Sequence, residues 1–314
     1  MEDIGDTVKK YLGFIIIYLL LTVLSLASTA YLEIVYYVLF LMVISQSLNI
    51  IMGFGGLYNF GHAVFIGIGA YVFALLVVQG LNPYISMIAG GIVSSAVAFL
   101  IGIVVLRLRG PFFAICTLST VPAVKYLIIG GKIAGGAAGI TLFRYLGEAY
   151  NPYMLTYILL ILSIIITILT LKISISPLGY SLKALREDHD VAETSGVDTT
   201  RCKVIAFILS ALFPGVAGGV LAFKIFWVMP ETVIDLTWSI EAILIVLLGG
   251  SGTTIGPIIG AVVYEVLKDL LMRYFPGLQL LIFGMLVVAI ISIAPEGIVG
   301  LLKNRFKRLR EFLI

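Results

Sequence analysis

Charge is what this chain has least of: 12% of its 314 residues are Asp, Glu, Lys or Arg, against about 25% in a soluble domain. A water-soluble globular fold is thereby excluded. Histidine is almost missing too. His62 and His189 are the only two, so a histidine-rich metal cluster is excluded, and neither a His-Glu-x-x-His nor a Gly-x-Ser-x-Gly signature occurs to support a membrane-embedded hydrolase. Cysteine is limited to Cys116, in an apolar run, and Cys202, in a polar loop. They have neither metal-ligand spacing nor a disulfide framework, and no cofactor or metal is expected. No Gly-x-x-x-x-Gly-Lys-Ser/Thr loop is present, so ATP is not bound in that way, and any ATP-driven work needs a motor on another chain.

What the chain does have is hydrocarbon. Hydrophobic residues make up 61% of it and the mean hydropathy is +1.15. The clearest apolar run, Tyr153 to Leu171, has no charge and holds twelve Leu or Ile. At roughly −0.3 to −0.6 kcal/mol each, those side chains favour insertion by about 4 to 7 kcal/mol. The runs are continuous, whereas barrel strands alternate apolar and polar residues. An all-α, polytopic membrane protein follows, forming a single transmembrane domain over residues 1–314 in the cell membrane. About eight spans are expected, near 14–30, 34–52, 57–79, 84–106, 111–130, 153–171, 204–226 and 278–294. The first resembles a signal peptide in its Lys9-Lys10 start and its Leu26-Ala27-Ser28-Thr29-Ala30 end, but it exceeds the usual 7–15-residue apolar core and is kept as a span.

Charge parity then sets a topology. With Lys9 and Lys10 inside, Arg107 and Arg109, the loop 172–203 and the basic tail 303–314 also fall inside, as the positive-inside rule requires, and both termini are cytoplasmic. This holds only if the remaining apolar stretch, Ser239 to Leu270, enters and leaves on the outer side. Its centre, Leu248-Gly249-Gly250-Ser251-Gly252-Thr253-Thr254-Ile255-Gly256-Pro257, suits a re-entrant pair or two half-helices, because Gly and Pro interrupt helices. A similar break, Gly53-Phe54-Gly55-Gly56-Leu57-Tyr58-Asn59-Phe60-Gly61-His62, precedes the third span. Two interrupted segments, one in each half, point to a transport pathway.

The longest polar segment lies between the sixth and seventh spans. Pro177 and Gly179 make a turn, Ser181 can cap a helix of about 14 residues, and Gly196 can end it in the left-handed conformation. Asp198 or Thr199 can cap the helix that follows. Asp190-Val191-Ala192, three residues, then Gly196 resembles the Glu-Ala-Ala-x-x-x-Gly coupling motif of ABC importer permeases, with Asp for Glu and Val for the first Ala. Its flanks, Leu185-Arg186-Glu187-Asp188 and Lys203-Val204-Ile205-Ala206-Phe207 with Gly215-Val216-Ala217-Gly218-Gly219, resemble the branched-chain amino acid ABC transporter permease family, specifically its second permease subunit. Asn59 to Tyr71, Leu106 to Ile115, Leu248 to Thr253 and Ala294-Pro295-Glu296-Gly297-Ile298 are similar to further landmarks of that family, in the family's order.

The resemblance implies a translocation path for branched-chain or related amino acids, powered by partners. Those partners are a second permease subunit, two ABC ATPase subunits and an extracytoplasmic solute-binding protein. The ATPase-coupling candidates are Leu185, Arg186, Glu187, Asp190, Ala192 and Gly196, small Ala192 and Gly196 permitting close approach while the charges orient the helix. Gln46 and Asn49 share one face of the second span; buried amides there either bond another helix or face water in a pathway. Asn59 and His62 beside the first break are further pathway candidates. Glu241 and Glu265 are expected near the outer headgroups, without special partners. An importer of urea or short amides, or a free-standing secondary transporter or channel, is the alternative, although no charged residue lies near a midplane to couple an ion gradient.

Overall fold

The computed structural model describes residues 4–147, 150–274, 277–278, 281–282, 284–285 and 297–305, with the backbone course alone for 4–12 and 302–305. Helices follow the apolar runs, and polar caps fix where they begin. α1 is Ile4–Ala27; Ser28, in extended backbone, accepts from the Tyr31 amide and starts α2, Thr29–Asn49. α2 runs on into a π-helical turn, Ile50–Phe54, so helical backbone continues over Thr29–Phe54. α3 is His62–Val78, α4 Pro83–Val105 and α5 Pro111–Gly130. Pro83 and Pro111 sit in the first turns, where a missing N–H costs nothing. After a two-stranded ribbon partner, β1 (Ile140–Thr141), and a single turn, α6 (Phe143–Leu146), Asn151 caps α7, Pro152–Ser174.

Two short helices follow, α8 (Pro177–Glu187) and α9 (His189–Thr194), before the 27-residue α10, Thr199–Ile225. β2 (Trp227–Val228) pairs antiparallel with β1, and α11 (Pro230–Val233) leads to α12, Leu236–Gly249, and α13, Gly256–Tyr274. A last described helix is Gly297–Arg305. Among the described residues six helical stretches are long and apolar enough to cross a bilayer, and Gly13–Ala27 and His62–Val78 are shorter apolar helices. The expected spans from the first to the seventh each fall on a helix. The eighth, 278–294, and the tail beyond 305 lie largely outside the described residues. The third starts five residues later than expected, because 57–61 is not helical.

α3, α4 and α10 form the centre of the bundle. A Cβ on Gly90 would stand 2.8 Å from the Gly69 carbonyl oxygen, and one on Gly215 would stand 2.6 Å from Ser94 Cβ. Small residues here let backbones approach in a solvent that offers no hydrophobic drive between helices.

The two ends of the bundle differ. One carries α8, α9 and the turn 250–255. At the other, Lys224 pairs with Glu33, Lys125 with Glu231, and Lys268 with Glu241 at 2.7 Å. The last pair joins the start of α12 to the end of α13, so the stretch Ser239 to Leu270 is a pair of helices that leaves and returns at one end. Glu241 and Glu265 depart from expectation. They are only 5% and 8% exposed, because the side-by-side packing of α12 and α13 covers them. Replacing Glu241 with Ala would leave the Lys268 ammonium, 16% exposed, without its partner. Thermal unfolding in detergent is expected to report a loss of about 3 kcal/mol or more, and a loss below about 1 kcal/mol would show that the pair is solvated.

Candidate functional site

The polar segment after α7 folds differently from the single helix expected. Ser176, not Ser181, is the first cap, its hydroxyl accepting from the Gly179 amide at 3.3 Å. At Asp188 the backbone turns extended (φ −155, ψ 121). Its carboxylate accepts from the Asp190 and Val191 amides at 2.9 and 3.0 Å, satisfying the free donors of a new helix. One helix therefore becomes two, α8 and α9. Gly196 ends α9 with φ +86. A Cβ there would meet nothing within 4 Å, so the left-handed backbone is what demands glycine. Asp198 caps α10 through the Arg201 amide at 2.9 Å.

Leu182 is fully buried, and Leu185 and Ala192 are 6% and 3% exposed; these three turn into the bundle. Ala192, expected to admit a partner closely, is instead covered by its own chain, on the same inward side as Leu182 and Leu185. Glu187 and Asp190 stay on the surface, with Asp190 held by Arg109 at 2.7 Å. Two exposed apolar side chains were not picked out by sequence pattern: Tyr180 at 62% and Val191 at 61%. His189, Asp190 and Glu193 bring possible ligand atoms within 4.8 Å of one another, but both carboxylates already face Arg109, at 2.7 and 3.9 Å.

Arg186 points the other way. Its Nη1 donates to the Gly53 carbonyl at 2.6 Å, and its Nη2 lies 3.5 Å from Ser251 Oγ. One guanidinium thus touches both glycine breaks. They also touch each other. Asn49 Nδ2 donates to the Thr253 carbonyl at 2.9 Å, Asn49 Oδ1 accepts from the Gly252 amide at 3.0 Å, and Gln46 Nε2 donates to the Thr254 carbonyl at 2.6 Å. The fit is tight. A Cβ on Gly53 would overlap Asn49 Oδ1 and lie 2.6 Å from the Gly252 nitrogen, and one on Gly56 would lie 3.0 Å from Arg186 Cγ. The π-turn at 50–54 falls at this contact, and π-turns within helices are frequent at functional sites.

Compared with known proteins, residues 30–291 match the family described as "Branched-chain amino acid transport system / permease component". The chain belongs to that family. The high-affinity branched-chain amino acid transport system permease protein LivM of Salmonella typhimurium is 32% identical, over 96% of this chain and 78% of its own length, and LivM of Escherichia coli is 31% identical over the same shares. A probable branched-chain amino acid transport permease protein LivH of Methanocaldococcus jannaschii is 27% identical over 80% of this chain and 85% of its own. No solved structure matches. This permease is a multi-pass protein of the cell membrane.

The other pathway candidates of the permease occupy a second position. His62, at the start of α3, lies with Nε2 3.1 Å from the Ile44 carbonyl and from Ser47 Oγ. Since a carbonyl only accepts, Nε2 carries the proton. Asn59 Oδ1 accepts from the Gly61 amide at 3.0 Å, and the Phe60 amide donates to Thr117 Oγ1, so the non-helical stretch 57–61 is lined by protein. Among the described residues no hydrogen bond joins Asn59 or His62 to Gln46 or Asn49. Among the described residues nine buried side-chain polar atoms have no hydrogen-bond partner, and four of them belong to these candidates and the second break: Gln46 Oε1, Asn59 Nδ2, His62 Nδ1 and Thr254 Oγ1. Each unmade bond costs about 1–3 kcal/mol.

Proposed function

We propose that this chain is a permease subunit of an ATP-driven importer for branched-chain or related amino acids. It works with a second permease subunit, two ABC ATPase subunits and an extracytoplasmic solute-binding protein. The observation that carries this reading is the Arg186 guanidinium, which ties the surface helices α8 and α9 to both glycine breaks. Membership of the family and the likeness to both LivM and LivH proteins support the solute class and a paired permease.

The coupling is mechanical. Glu187, Asp190, Tyr180 and Val191 on the outward side of α8 and α9 seat on an ATPase, and Leu182 and Leu185 fix the same helices to the spans. When two ATPases close on ATP, α8 shifts and Arg186 carries the Gly53 carbonyl with it. Asn49 and Gln46 pass that displacement to Gly252, Thr253 and Thr254. The breaks part, and Gln46 Oε1 and Thr254 Oγ1, then Asn59 and His62, present polar groups along the path. The ammonium and carboxylate of an amino acid need such partners inside a bilayer.

Val191→Glu tests the docking face. A carboxylate there is exposed and costs the fold little, so the chain should insert normally while retention of the ATPases on affinity purification falls at least tenfold. Retention equal to wild type would remove α9 from the interface.

A further inference from the structure

A cavity of about 280 Å³ opens at the α8–α9 end, between the end of α4, the start of α10 and α9. Arg107, Arg109 and Lys203 line it, with Glu193 and His189, and Ile103 and Leu106 form its apolar side. Lys203 is 5% exposed. Its ammonium donates to the Leu106 carbonyl at 3.0 Å and contacts His189 Nε2 at 3.2 Å. Burial first, then the charges of Lys203 and Arg109, push the His189 pKa below its ordinary value, so the imidazole is a neutral acceptor. Neither Lys203 nor Arg107 makes a salt bridge among the described residues, whereas Arg109 is engaged by Asp190 and Glu193. Glu193 acts on Lys203 only from beyond salt-bridge distance, and a buried ammonium so weakly compensated is costly.

The two helices that line the cavity also carry exposed apolar side chains beside it. Leu100, Ile103 and Val104 on α4 are 63%, 42% and 67% exposed, and Ile205 on α10 is 41% exposed. Cationic depth beside an apolar stripe, at the end of the spans that the positive-inside rule places in the cytoplasm, is the layout of a phospholipid headgroup over its acyl chains. The volume is about nine times the roughly 30 Å³ of a liquid water, room enough for a phosphodiester.

We infer that this cavity is a binding site for the phosphate of an anionic phospholipid of the inner leaflet, held by Arg107 and Lys203, with its acyl chains along Leu100, Ile103, Val104 and Ile205. Through Lys203 and His189 the lipid braces α9 against the bundle. The site is independent of the coupling assignment, since it needs no ATPase.

Native mass spectrometry of the full chain in detergent, given equal amounts of dioleoylphosphatidylglycerol and dioleoylphosphatidylcholine, is the test. The wild type should retain the anionic lipid at least tenfold over the zwitterionic one. Arg107→Gln, an exposed position that keeps the fold, and Lys203→Met should each bring that ratio below about threefold. Lys172→Gln, the same charge change at the same end but outside the cavity, should leave it unchanged. Equal retention of the two lipids, a ratio untouched by Arg107→Gln, or an equal drop for Lys172→Gln would each overturn the site. Displacement of the lipid by millimolar inorganic phosphate would assign the cavity to a free anion and overturn the lipid reading.

Discussion

Replacing Arg186 with Gln is expected to leave the permease inserted and bound to its ATPases while solute uptake falls tenfold or more. A charge-assisted hydrogen bond contributes about 1.5–3 kcal/mol, and each 1.4 kcal/mol is a factor of ten. Glutamine is neutral and too short to reach both the Gly53 carbonyl and Ser251. The loss falls on the step that joins α8 to the breaks, so ATP hydrolysis continues without transport. Arg186→Lys should keep part of the uptake, because an ammonium can still meet the Gly53 carbonyl but lacks the fork that spans two partners. Uptake and ATPase activity measured side by side at matched expression separate this from simple destabilisation. Wild-type uptake in the Gln variant would end the assignment of Arg186 as the link.

Gly53→Ala is the second large effect. One methyl is enough, since it would overlap Asn49 Oδ1 and crowd the Gly252 nitrogen. Relief requires Asn49 to leave the Thr253 and Gly252 bonds, which takes the two breaks apart. Overpacking of this kind costs typically 1–3 kcal/mol, and uptake should fall at least tenfold. Gly13→Ala is the matched control, because a Cβ there meets nothing within 4 Å; it should transport as the wild type does. Equal activity in both variants would mean that the breaks do not need to touch.

The spans were legible because apolar runs end at residues with few options. Pro111 and Gly130 bound α5 as expected, and α4 and α7 begin beside Asn82 and Asn151, whose side chains cap the first free amides. Legibility failed where a polar side chain redirected the backbone. Leu57 and Phe60 look like the start of a span, yet the chain stays non-helical to Gly61, the Phe60 and Gly61 amides answered by Thr117 and Asn59. Asp188 splits the expected coupling helix for the same reason, its carboxylate capping the amides of Asp190 and Val191. The candidate site was legible as residue types only. Gln46, Asn49 and Arg186 were recognisable as polar groups that need a use, but their partners lie 204 to 208 and 133 positions away for Gln46, Asn49 and Arg186 in the bonds to Thr254, Thr253 and Gly53. Local pattern does not encode such pairings. Glu241 and Glu265 were misplaced on the surface because the expected return of this stretch to the outer side does not reveal that α12 and α13 pack closely enough to cover both carboxylates.

The central claim is that this chain forms a path which moves solute only when driven by partner ATPases. Uptake of labelled leucine into proteoliposomes, with the solute-binding protein outside and ATP within, tests it most directly. The account predicts accumulation when the second permease and both ATPases are present, and none when this chain is reconstituted alone. Accumulation by this chain alone, driven by an ion gradient and indifferent to ATP, would contradict it.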